Sequence, residues 1–260
     1  MVEVDRPNRQ KRRKRGKSDP IDAEAAARAA LSGEAAVTPK TRNGPIEQMR
    51  VLLVARSQRI QTLNQLRHLV FCGPKPIPVR FKDRYKTGLV TQAARMRPRN
   101  GSDPFTFTTN TVIRILGGRI QGLNTEMASI DHMLSRLVAA TAPSLLDLHG
   151  VGVDSAATLL VTAGDNPDRL TSEGSWAHLC GVAPLPASTG KTPRHRLNRG
   201  GDRQANAALY RIVPTRMSNH PETRRYVTRR RNQGRNATEI MRSLERYAAR
   251  QVFKHLPQIA

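Results

Sequence analysis

Ile113, Leu116, Ile120, Leu123, Met127, Ile130, Leu134 and Leu137 follow one another at alternating steps of three and four. That spacing lays them along one stripe of an α-helix, an a/d seam sustained over more than three heptads. One helix cannot bury such a stripe alone, so two arrangements stay open: an antiparallel hairpin within the chain, or pairing with a second chain. A partner is available upstream. Met49, Leu53, Ile60 and Leu63 predict a helix from Ile46 to about Val70, preceded by a linker with Pro39, Asn43, Gly44 and Pro45. Residues 74–108, rich in Pro, Gly, Asn and Thr, read as irregular. Residues 19–32 read as a short alanine-rich helix, Pro143 ends the long seam, and a last helix is expected from about Thr238 to Leu256. Trp176 and Tyr210 are expected in the core.

Charge changes the picture. The 260 residues hold 44 Lys plus Arg against 20 acids, for a formal net charge of +24. A balance so basic points to a polyanionic partner, nucleic acid before an acidic membrane. Nothing approaches 18 consecutive apolar residues and no signal peptide opens the chain, so the protein is expected to be soluble and cytosolic. Nothing lipid-like and amphipathic appears either. Cys72 and Cys180 lack any CxxC spacing, which argues against a disulfide framework or a cysteine zinc site and for two apolar fillers. The basic residues are unevenly spread. Residues 1–17 hold eight of them, and from Lys191 onward there are seventeen against four acids.

Three stretches carry candidate chemistry. LLDLHGVGVDSAATLLVTAGD, residues 145–165, has the form of a helix-hairpin-helix. Gly150 and Gly152 permit a tight turn and leave backbone N–H groups uncovered at a helix N-terminus, where a phosphate fits. A helix turn with no ligand is the plain alternative. GVAPLPASTGKTPRHRLNRGGDRQAN, residues 181–206, contains STGKT but fails the P-loop pattern, because Leu185 stands where its first glycine belongs. What remains is a Ser188-Thr189-Gly190 turn followed by Lys191, Arg194, Arg196, Arg199 and Arg203. A hydroxyl among guanidinium groups suits attack on phosphorus, since cations stabilise the charge that develops there; the ordinary reading is turn chemistry. On the last helix Arg242, Arg246, Arg250 and Lys254 recur at i, i+4. Like charges so placed repel, and a row of phosphates against them explains the stripe better than solvation. RRYVTRRRNQGR, residues 224–235, adds to the same surface.

SDPIDAE opens the first helix. Asp19 as N-cap, Pro20 at the first position and Asp22 at the third make a sound helix start. Alternatively, two carboxylates one turn apart share a divalent cation that clamps a phosphate.

Taken together, GKSDPIDAEAAARA and LLDLHGVGVDSAATLLVTAGD…WAHLCGVAPLPASTGKTPRHRLNRGGDRQAN resemble the transposases of insertion-sequence family 110, the IS116/IS110/IS902 type. The resemblance implies a mainly α chain of three parts: the end of a DEDD RuvC-like α/β nuclease domain over residues 1–35, a helical coiled-coil region over 36–142, and an α-helical transposase domain over 143–260. It implies strand cleavage and joining of DNA, directed by an element-encoded structured RNA. Mg²⁺ would be held by four acids, of which Asp19 and Asp22 match the last two. A serine would form a covalent phosphoserine with DNA; the family's position falls on Thr189, with Ser188 just before it. Dimers or tetramers would form through residues 113–137, in a bacterial, nucleoid-associated protein. The first Asp and the Glu of the family lie upstream of its D-x-x-D, on strands this sequence does not contain, so the chain reads as N-terminally shortened. Its alternative reading is a non-catalytic nucleic-acid-binding remnant.

Overall fold

The computed structural model describes residues 19–33, 43–72, 88–165, 170–186, 195–196, 198 and 200–257. The fold over them is mainly helical. In chain order come α1 (Asp19–Leu31), α2 (Pro45–Cys72), α3 (Leu89–Ala94), α4 (Pro104–Thr141), a 3₁₀ turn (Pro143–Leu145), α5 (Val153–Ala163) and α6 (Glu173–Leu179). A two-residue ladder, β1 (Leu185–Pro186) with β2 (His195–Arg196), precedes α7 (Arg203–Asn219), α8 (Pro221–Asn232) and α9 (Ala237–Phe253).

The a/d seam folds as the intramolecular hairpin. Ile113, Ile120, Leu134 and Val138 are fully buried. Two separate apolar clusters fix the direction of packing. Ile46 and Met49 near the start of α2 join Leu134 and Val138 near the end of α4, while Leu66 and Val70 join Ile113 and Ile120. The two helices are therefore antiparallel. Arg59 on α2 adds a side-chain hydrogen bond to Asn124 on α4.

The stretch expected to be irregular is partly helical. Asp103 caps α4, its side chain accepting from Thr106 N at 3.1 Å, and Pro104 takes a first-turn position where its missing N–H costs nothing. Ahead of it, α3 crosses α4 at Gly117. A Cβ there would meet the backbone of Ala93 and Ala94, so only glycine lets the two helices come this close. Residues 73–87, including all of GPKPIPVRF, lie outside the described residues.

The C-terminal region is built around one apolar cluster. Trp176 is fully buried, its indole N–H donating to Ala249 O at 3.1 Å, and Leu159, Leu209, Ala248 and Val252 pack in the same cluster. Ile46, Met49, Leu134 and Val138 belong to it too, so the base of the hairpin sinks into this core. Two sequence expectations fail. Tyr210 is 53% exposed because the buried stripe of α7 runs through Ala205, Ala208, Leu209, Ile212 and Val213, and residue 210 falls off it. Cys180 is a buried filler with its thiol pushed by burial up to a pKa far above the usual range, whereas Cys72 is exposed at the end of α2.

Candidate strand-transfer and nucleic-acid site

The expected hydroxyl turn falls in sequence between the two strands of the small ladder. Leu185 pairs with Arg196 and Pro186 with His195, and residues 187–194 between the two strands lie outside the described residues. Ser188, Thr189, Lys191 and Arg194 themselves lie outside the described residues, as does Arg199. What is described is the anchorage. Asn198 donates through Nδ2 to His178 O at 3.1 Å, and Asp202 N donates to Leu179 O at 2.6 Å. Gly201 lies so close that a Cβ on it would strike the Gly181 backbone and approach Leu179 O to 2.8 Å. Asn206 reaches back to Cys180 O at 3.3 Å. The described residues between β2 and α7 are thus tied to the C-terminal end of α6. Asp202 then caps α7 by accepting from Gln204 N and Ala205 N at 2.7 and 3.0 Å, which leaves Arg203 exposed at the first helical position.

Around the Gly-Val-Gly turn, the two glycines differ. Gly150 has φ +82, the left-handed region, and a Cβ there would stand 3.1 Å from Ile212 O and 3.4 Å from Arg216 Cγ. It is fixed by close approach to α7. Arg216 is buried there: its Nε donates to His149 O at 2.7 Å and its Nη1 to Gln251, while burial lowers its pKa from the ordinary arginine value. Sequence reasoning missed this arginine, which reads as one more member of a basic tail. Gly152 is the N-cap of α5, exposed and with open space beside it. The preceding residues form a 3₁₀ turn followed by loop rather than the end of an α-helix.

That helix N-terminus already has a carboxylate in its first turn. Asp154 accepts from Arg56 Nη1 of α2 at 2.7 Å and from Arg211 Nη1 of α7 at 2.9 Å. Arg56 also stands 3.4 Å from Asp131 of α4. Four helices meet at this group of charges, whose partners are 98 and 57 residues apart in sequence and invisible to motif reading.

The arginine stripe of the last helix is divided. Arg246 and Arg250 both turn onto Glu173 at the start of α6, Arg250 Nε at 3.1 Å, and the hydrogen bond from Arg246, followed by that from Arg250, pulls the Glu173 carboxyl below the usual carboxylate range. Arg242 remains exposed and Lys254 lies just past the helix. Asp19 and Asp22 both fall in the first turn of α1, which contributes to none of the three apolar clusters of the described residues. Among the described residues no group of three or more His, Cys, Asp or Glu side chains is placed to hold a metal ion. No helix among them is long and apolar enough to cross a membrane.

Residues 142–228, from the helix end that meets the core to the middle of α8, match the family described as "Transposase IS116/IS110/IS902 family". Over these residues the chain is similar to that transposase family. The resemblance read from the motifs is shown by that match and by two relatives. Over 159 residues the chain is 31% identical to the "Insertion element IS110 uncharacterized 43.6 kDa protein" of Streptomyces coelicolor, covering 59% of this chain and 38% of the relative. Over 139 residues it is 27% identical to the "Insertion element IS900 uncharacterized 42 kDa protein" of Mycobacterium paratuberculosis, covering 52% and 35%. The chain therefore matches well under half the length of these curated relatives. The matched segment contains the ladder and the hydrogen bonds that tie Asn198, Asp202 and Asn206 to the end of α6.

Proposed function

We propose that the protein acts in the movement of an insertion sequence by binding DNA and exchanging its strands through a covalent link to Ser188 or Thr189. The observation that carries this reading is the family match over the segment holding both the hydroxyl loop and its arginines. In the proposed step the hydroxyl oxygen bonds to phosphorus, one P–O bond of the strand breaks, and the departing strand oxygen leaves as a hydroxyl, so a proton passes from protein to DNA. Attack by a second strand's hydroxyl reverses these bonds, joins the strands and returns the proton. Lys191, Arg194, Arg196, Arg199 and Arg203 stabilise the phosphate as charge builds on it. Gly152 and Gly150, Arg242, and the stripe Arg246 and Arg250 serve as backbone contacts, the last two in exchange with Glu173.

Mg²⁺ at Asp19 and Asp22 rests on the resemblance. Two carboxylates in one helical turn do not complete a cage, so no step is assigned to the ion; when bound it would neutralise charge on the phosphate. A structured guide RNA, a dimer or tetramer formed through residues 113–137, and a place in the bacterial cytoplasm at the nucleoid belong to the same reading. The test is incubation with element-end DNA, element RNA and Mg²⁺. A covalent protein–DNA adduct is expected, lost in either Ser188→Ala or Thr189→Ala. Absence of adduct from the wild type, with salt-sensitive binding retained, would leave a non-catalytic nucleic-acid binder.

A further inference from the structure

Helix α8 has one face packed on the protein and an opposite, arginine-rich face that pairs with no carboxylate among the described residues. Thr223 and Val227 are buried, Val227 in a cluster with Val213, Ile240 and Leu244. Tyr226 extends the anchor by meeting Tyr247 edge-on, with ring centroids 5.7 Å apart. On the opposite side Arg224, Arg225, Thr228, Arg229 and Asn232 line a single open surface with Gln233. The helix holds five arginines and one acid, Glu222. Among the described residues no carboxylate pairs with Arg224, Arg225 or Arg229, and the guanidinium of Arg229 lies 5.5 Å from the Tyr226 ring centre.

This differs from the α9 stripe, where Glu173 holds Arg246 and Arg250. The helix dipole favours cations in the last turn, which accounts for Arg229 to Arg231 but not for Arg224 and Arg225 near the start. The exposed face also mixes two chemistries. Guanidinium groups bind phosphate or guanine edges in a fork, while a hydroxyl and two amides suit base edges. A helix about 10–12 Å across matches the roughly 12 Å major groove of B-form DNA, whereas the major groove of A-form RNA is too narrow to be read this way. Arg229, Asn232 and Gln233 lie beyond residue 228, where the family match ends, so that match does not assign them a role.

We infer that α8 is a groove-reading helix: its face of Arg224, Arg225, Thr228, Arg229 and Asn232 enters the major groove of duplex DNA. This rests on the reading that DNA is the partner, but not on the strand chemistry.

The experiment uses the full chain with a 30-base-pair DNA duplex and an RNA duplex of the same sequence. It compares the wild type, the triple variant Arg224→Gln/Arg225→Gln/Arg229→Gln, and a charge-matched control, Arg114→Gln/Arg119→Gln/Arg136→Gln, at three exposed positions of α4. All six positions are exposed, and circular dichroism checks the fold. The α8 variant is expected to lower the slope of log affinity against log salt by about 2–3 on DNA, close to 0.9 for each lost phosphate contact. The wild type is expected to protect guanine N7 from methylation in the major groove, and the variant to lose that protection. Equal losses in the α4 control, no N7 protection by the wild type, or an equal loss on the RNA duplex would each overturn the inference. With the wild type, absence of adduct while N7 is protected defeats the strand chemistry and leaves α8 standing; absence of N7 protection while adduct forms defeats α8 and leaves the strand chemistry standing.

Discussion

Replacing Asp154 with asparagine keeps the shape of the side chain and removes its charge at the junction of α2, α4, α5 and α7. Both carboxylate oxygens are in use, at 2.7 Å from Arg56 and 2.9 Å from Arg211, with Asp154 32% and Arg56 27% exposed. Exposed ion pairs contribute about 0.2–1 kcal/mol each, and a negative charge in the first turn of a helix about 0.3–1 kcal/mol. Partial burial places this site toward the upper end of the first range, so Asp154→Asn should cost roughly 1–2.5 kcal/mol at low salt. Urea unfolding of wild type, Asp154→Asn, Arg211→Gln and the double variant reads the pairwise part, expected at about 0.5–1 kcal/mol of coupling. Raising the salt to about 1 M, where the Debye length is near 3 Å, should remove most of it. Additive single effects at low salt, or a loss indifferent to salt, would refute the claim that this carboxylate ties the helices together.

Gly201→Ala should prevent the C-terminal region from folding, because the new methyl meets Gly181 backbone rather than a movable side chain; a native circular dichroism spectrum and melting curve would contradict the described approach. Gly117→Ala should loosen α3 from α4 for the same reason, seen as faster amide exchange in residues 89–96 with the C-terminal core unaffected. Glu245 is buried, and burial, opposed by neighbouring Arg242, pushes its carboxyl up to about 7. The folded state therefore holds this proton more tightly than the unfolded chain, and its contribution to stability is full below the ordinary value near 4.5 and falls as pH rises through 7. Glu245→Gln should gain on the wild type by on the order of 2–3 kcal/mol above pH 8 and converge with it near pH 5; parallel curves from pH 5 to 9 would refute this.

Local pattern was legible where one element carried its own signal. The eight-residue seam, the α2 stripe and the motif order needed nothing from elsewhere in the chain, and helix bounds landed within a few residues. What stayed hidden depends on pairs. Nothing in LVTQAA marks a helix, since α3 exists by resting Ala93 and Ala94 on the bare backbone at Gly117. The arginine stripe of α9 was visible as spacing, but half of it is spoken for by Glu173, 73 and 77 residues away. Gly150 was legible as a turn residue; that it makes room for Ile212 and Arg216 was not, because both lie on a helix some 60 residues later. Ser188 and Thr189 are the reverse case: their chemistry is an expectation from sequence alone, and the structure describes only the ladder on either side of them.

The antiparallel pair of long helices behaves mechanically as a cantilever. At about 1.5 Å per residue, the 38 residues of α4 measure roughly 57 Å, and only the end carrying Leu134 and Val138 is set in the C-terminal core. A tilt of about 10° at that root would carry the far end through roughly 10 Å, enough to move whatever the tip holds by several base-pair steps along a duplex. Asp154 and Arg56 sit beside the root, so two side chains set the aim of an arm many times their own length.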